Sequence, residues 1–217
     1  MRMRRIAALL LAGCLVGFAP ADGFRERFIA LYKAGKKAEA EKVLREWEQQ
    51  QPSDPEAYII RFNLLEQQAA EARKHAGGGM QVMYEKDFAK AIESGQLAAQ
   101  QKNQKASQQQ AEALLLQATT VLRKGIAIAP DRLDMRFGLA KTYEEWGQPA
   151  AEVQVLREAL ADHAKRQQPW RWREGAALPE PENKMLPQSL EGYANHYWQP
   201  QERIFPQSMQ ARDEDEA

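Results

Sequence analysis

Apolar side chains recur at helical spacing through most of this chain, and the places that break the spacing carry Gly or Pro. Ala40 and Leu44 lie one turn apart on a helix that follows Gly35 and stops at Pro52. Pro55 opens the next helix, in the first turn, where its missing N–H is no loss. Further along, Ala111 to Ile128 forms an apolar-periodic helix carrying Ala118 and Leu122 and halted by Ala129-Pro130. Leu139, Ala140 and Tyr143 hold the same spacing before Gly147, as do Leu156 and Ala159 after it. The small residues Ala40, Ala118, Ala140 and Ala159 let paired helices approach closely, while Leu44, Leu122 and Leu156 fill the space between pairs. The pattern predicts an all-α chain.

The regularity fails in two places. A helix from Pro55 to about Lys74 is followed by Gly77-Gly78-Gly79 and a stretch that delays its partner to Ala111. Tyr84, Phe88, Ala91 and Ile92 keep an apolar helical face, but Gln96 to Gln110 is rich in Gln, Lys and Ser with little to bury. Residues of about 76–110 are therefore read as an insertion in the middle pair, a solvent-washed hairpin that also serves as a candidate partner-gripping arm. After the last pair, Gln167 to Asn183 contains Pro169, Gly175, Pro179 and Pro181 and is predicted as a loop. Leu186, Leu190, Tyr193 and Tyr197 then return to helical spacing, with Trp198 at the end. Residues 166–200 are assigned as a Trp-rich loop and a capping helix, and 201–217, with Asp213-Glu214-Asp215-Glu216, as an acidic tail expected to be disordered.

The N-terminus changes the setting. Met1 to Arg5 is basic, Ile6 to Phe18 is apolar, and Ala19-Pro20-Ala21 offers small residues for cleavage, so residues 1–21 read as a secretory signal peptide. The apolar run is shorter than the roughly 20 residues of a spanning helix. Leu11-Ala12-Gly13-Cys14 also resembles a bacterial lipobox, in which Cys14 would be lipidated and membrane-anchored. Against it, Leu15 to Phe18 stays apolar where a polar tether is usual. The chain is expected to be exported and periplasmic, with lipid anchoring through Cys14 as the alternative. Removing 21 of 217 residues leaves 196, without cysteine, since Cys14 is the only one. Lys+Arg falls from 30 to 27 against 30 acidic residues, a net charge of about −3 that gives no general electrostatic reason to bind nucleic acid.

From Gly35 to Tyr58 the chain resembles the end of one tetratricopeptide repeat and the opening of the next, and Ala111 to Ala159 resembles the repeat again. The resemblance covers roughly 24–163. It departs at Trp47 and Gly125, where a small Ala is usual, and at Glu152, which replaces the usual small residue. Arg132 to Gly138 and Arg61-Phe62-Asn63 are similar to segments of exported bacterial tetratricopeptide proteins of uncharacterised function. The resemblance implies a TPR-like antiparallel helix-pair solenoid over 22–165. It also implies that the first helices, Phe24 to Lys33, Pro55 to Glu66 and Leu133 to Glu145, line a concave groove. By helical phase the candidate partner-binding residues are Arg25, Ile29, Ile59, Asn63, Phe137 and Lys141. Their mixture of apolar and polar groups suits an extended peptide or a helix laid in a groove; the other reading is that some of them pack against the insertion or the C-terminal segment.

The candidate chemistry is sparse. His75, His163 and His196 are scattered, and the chain carries no His-Glu-x-x-His, no Gly-x-Ser-x-Gly and no Gly-Lys-Ser/Thr. The reading is non-enzymatic, with no catalytic residue, cofactor or metal ligand assigned. Trp170, Arg171 and Trp172 form an aromatic-basic cluster with Lys165, Arg166 and Arg173, offering a secondary surface for an anionic glycan, a lipid headgroup or an acidic protein. The other reading of the cluster is that its tryptophans pack over the last pair while the arginines reach solvent. Three functions are carried forward. The first is a protein-protein adaptor or scaffold in the bacterial cell envelope; the second is a dedicated inhibitor or immunity protein of an exported toxin or hydrolase. The third is a glycan-binding or hydrolytic envelope protein.

Overall fold

The computed structural model describes residues 22–76 and 95–198. The expected leader with Cys14, the Gly-rich hinge, Tyr84, Phe88, Ala91, Ile92 and the acidic tail lie outside the described residues. Those residues form seven α-helices and a single 3-10 turn, with no strand among them. The helices are α1 (Asp22–Lys33), α2 (Lys37–Gln50), α3 (Pro55–Ala76), α4 (Gln96–Ile128), α5 (Leu133–Glu145), α6 (Pro149–Lys165) and α7 (Glu182–Trp198). None is long and apolar enough to cross a membrane. The chain divides into two units after Ala57, in the first turn of α3.

In the first unit α1 and α2 pack as a hairpin. Gly35 takes the left-handed conformation, φ 74°, that a chain reversal requires and that a side chain resists. Its N–H donates to the Tyr32 carbonyl at 3.0 Å, and that of Lys36 to Leu31 at 3.0 Å, closing the end of α1. Phe24, Phe28, Ala40, Val43, Leu44 and Trp47 are buried. The Trp47 ring stacks on Phe24 at 6.1 Å and 9°. Its indole N–H lies 2.9 Å from Asp54 Oδ2 and 3.1 Å from Gln51 Oε1, so the buried ring keeps a polar partner. The other Asp54 oxygen accepts from the Glu56 N–H at 3.0 Å and caps the start of α3.

The second unit repeats the hairpin in α5 and α6. Gly147 has φ 65°, its N–H donates to Glu144 at 3.0 Å and that of Gln148 to Tyr143 at 2.8 Å. Several of the positions turned inward match those of the first hairpin when counted from the glycine. Phe24 and Phe28 precede Gly35 by eleven and seven residues, as Arg136 and Ala140 precede Gly147, and all four are buried. Ala40, Leu44 and Trp47 follow Gly35 by five, nine and twelve residues, as Glu152, Leu156 and Ala159 follow Gly147. Five of these six are buried and Leu156 is half-buried against the core. Glu152, fully buried, thus stands where the first hairpin has Ala40.

Helix α4 differs from expectation. Gln96 to Gln110 belongs to the same 33-residue helix as Ala111 to Ile128, rather than to a separate element. Gln, Ala, Lys and Leu are good helix formers, and no Gly or Pro interrupts them, so propensity carries the helix beyond its buried half. The stretch is mostly exposed, as its composition predicts. The buried half packs on α5, where Phe62, Ala118, Leu122, Met135, Leu139, Ala140, Tyr143 and Val155 form the main core. Gly125 is needed there: a Cβ would lie 3.0 Å from Tyr58 Cβ and 3.3 Å from Met135 Sδ.

Candidate functional site

The six candidate groove residues fall in both units. In the first, Arg25 and Ile29 are half-buried on α1, one position beyond the buried Phe24 and Phe28. In the second, Ile59 and Asn63 lie one turn apart on α3 and Phe137 and Lys141 one turn apart on α5. They differ sharply in access. Ile59 packs against the main core, whereas Asn63 is exposed. Lys141 is exposed and held by acidic neighbours, its Nζ 2.8 Å from Glu144 and 3.7 Å from Glu145; the hydrogen bond to Glu144 raises its pKa.

Phe137, a candidate groove residue, is covered by the chain's own C-terminal segment. Its ring meets Trp172 edge-on at 6.4 Å and Tyr193 at 6.2 Å, and the Tyr193 hydroxyl donates to the Phe137 carbonyl at 3.1 Å. Leu133, Trp170 and Leu186 form a second buried cluster, with Phe137, Trp172, Leu178 and Leu190 packed against it. The Trp-rich loop is stitched to the start of α5: Arg171 N–H donates to Asp131 at 2.8 Å and Leu133 N–H to Arg171 at 3.0 Å. The motif from Arg132 to Gly138 supports this seam. Arg132 forks onto Asp134 through two bonds of 2.8 Å, and Arg136 ties α5 to α6 through Asp162 at 2.6 Å.

Trp170, for which the sequence offered both a secondary surface and packing over the last pair, is 2% exposed and so is packed rather than a surface. It fills space beside Leu133 and Leu186, with the Arg136 and Arg166 guanidinium groups 5.3 and 3.8 Å from its ring centre. Trp172 is half-buried, and Arg171 is the exposed member, bonded to the Gly175 carbonyl at 2.8 Å and 3.4 Å from Asp131. The indole N–H of Trp170 lies 3.3 Å from His163 Nδ1, which is also 2.9 Å from Glu182 Oε1. An indole only donates and a carboxylate only accepts, so the proton on Nδ1 decides which of the two His163 serves.

Around the open residues the side chains are acidic and aromatic. Burial and then the charge of Glu145 raise the Glu66 carboxyl above its ordinary value, opposed by a hydrogen bond to Trp146. Arg73 lies 4.8 Å from the centre of the Trp146 ring and donates to the Glu145 carbonyl at 3.1 Å, fastening α3 to the turn before α6. Burial, then the charges of Glu144, Glu152 and Glu145, push the Tyr193 phenol up to about 12. Tyr193 was legible as part of an apolar helical face; its partner Phe137 was not. A separate cleft of about 440 Å³ opens between α4, α5 and α6, lined by the ion pairs Arg123–Glu158 and Arg136–Asp162. Among the described residues no group of three His, Cys, Asp or Glu is placed to hold a metal ion. Comparison of the chain with family models, with curated proteins and with solved structures returns no match.

Proposed function

We propose that this protein is a non-enzymatic adaptor or scaffold of the bacterial cell envelope that binds a protein or peptide through the inner faces of its tetratricopeptide-like helix pairs. The observation that carries the reading is the agreement of the two hairpins. Each turns on a left-handed glycine with the same pair of closing bonds, and the positions eleven and seven before it and five and twelve after it are buried in both. Stacked hairpins of that kind present long faces whose side chains are free to vary without disturbing the core, which suits recognition of an extended or helical segment. On the second unit the accessible part of that face is Asn63 and Lys141, flanked by Glu144 and Glu145. That mixture favours a polar partner segment bearing both a hydrogen-bonding group and a cation.

The test is affinity capture from an envelope extract of the native host, with the tagged full chain beside an Asn63→Glu, Lys141→Glu variant whose helicity is checked by circular dichroism. Both substitutions are at exposed positions, so the fold should survive them. A protein retained by the wild type and lost by the variant is the expected result. Identical captures, or none with either, would overturn the reading of this face.

A further inference from the structure

We propose that α7 is a displaceable ligand of α5, occupying the face on which a partner's amphipathic helix docks; this rests on the scaffold reading above. Leu186, Leu190 and Tyr193 stand at i, i+4 and i+7 and form a single apolar stripe, which is the pattern of a helix laid in a groove. The stripe lies over Phe137, the residue whose phase on α5 marks the inner face. The chain therefore supplies its own occupant for that surface.

Several features make the occupant removable. Helix α7 contains Pro187 in its interior and Gly192 near its middle, which disfavour a helix by about 3 and 1 kcal/mol relative to Ala. A helix so composed owes its order to docking, so leaving the face and unwinding are coupled. Its opposite side, including Glu191, Gly192, Ala194 and Asn195, faces solvent and adds no packing. The polar ties include Glu182 to His163 and the Tyr193 hydroxyl to Phe137. Before it, Pro179 and Pro181 bracket an exposed connection, while the loop behind is anchored by the Arg171 bonds to Asp131 and Leu133. The loop backbone can thus stay in place when α7 leaves, while Trp170 loses its contacts with Leu186 and Glu182 and keeps those with Leu133, Arg136 and Arg166. What it uncovers is apolar, Phe137 beside Trp172 and the Trp170 ring, with a bare carbonyl. The partner that fits is a helix with two leucine-sized groups one turn apart and a hydrogen-bond donor a further turn on.

Hydrogen exchange on the full wild-type chain tests the first half. The amides of α7 are expected to exchange roughly tenfold or more faster than those of α5 and α6, as a sub-global opening does. Exchange of all three together would make α7 an integral part of the core and overturn the proposal. The second half uses a fluorescent peptide of residues 182–198, added to the wild type and to a folded full-length Leu190→Asp, Tyr193→Ala variant. Binding to the variant and not to the wild type, where the tethered copy competes at an effective concentration of roughly millimolar, is expected. No binding to the folded variant, or equal binding to both, would refute it. Concentration-dependent dimerisation of the variant in sedimentation would put a second copy on the face and reject the partner assignment. Neither experiment needs the native partner, so their failure is distinct from a failed capture.

Discussion

Tyr193 joins a phenol, an apolar stripe and a backbone carbonyl at one point, and its titration reports whether they stay joined. Its folded-state value lies above the ordinary 10, so the neutral phenol is the form that favours docking. That contribution is intact below pH 10 and is lost as pH rises towards about 12. In tyrosinate difference absorbance the Tyr193→Phe variant should lack the most alkaline step, and it should lose about 1 kcal/mol with the hydrogen bond. Glu66 behaves with the same sign at acid pH: its raised carboxyl favours the protonated fold, and stability is withdrawn as pH climbs through its folded value. Urea melts of Glu66→Gln should therefore show a gain at neutral pH and little gain in acid. Gly125 was visible in the sequence as a departure from the repeat, but its reason was not. Ala is favoured over Gly in a helix by about 1 kcal/mol, yet at 3.0 Å from Tyr58 Cβ and 3.3 Å from Met135 Sδ the methyl group fits only if these packed neighbours shift. Gly125→Ala is expected to destabilise by about 1–2 kcal/mol in thermal denaturation.

The helices themselves were the most legible level, because their boundaries are set by local chemistry. Gly35, Pro55, Pro130, Gly147 and the proline-rich stretch before α7 all act where they stand, without help from distant residues. If α1–α2 and α5–α6 are the same device, equal substitutions should have equal effects. Gly35→Ala and Gly147→Ala each force a side chain into positive φ, where nothing crowds the new Cβ but the backbone resists it. Each should lose about 1–2 kcal/mol, and a large difference in their melting shifts would argue against a shared turn. Helix α4 was misjudged at Gln96 to Gln110 because an absent apolar face was taken as a boundary. Without Gly or Pro, an exposed run of Gln, Ala and Lys continues a helix whose nucleus is buried elsewhere. The buried Glu152 shows the opposite limit: the pattern marked it as unusual for a small-residue position, and only packing reveals that it lies inside the hairpin.

At the scale of the whole molecule, legibility falls with separation along the chain. The all-helical class follows from periodicity, whereas the meeting of Tyr193 with Phe137, 56 residues away, depends on how a terminal helix is phased against α5. For Trp170 the sequence offered both a surface and a packed ring, and its neighbours Leu133 and Leu186 place it in the core. These two facts redirect the binding account from Ile59 and Phe137 to Asn63 and Lys141, with α7 as the competitor. The most direct check is a hydrogen-exchange footprint of the full chain with and without a protein retained in the affinity capture. Protection on α3 around Asn63 and on α5 around Lys141, with faster exchange in α7, is the expected result. Protection confined to the outer side of α4 and α6, around the exposed Leu116 and Leu160, with α7 unchanged, would contradict it.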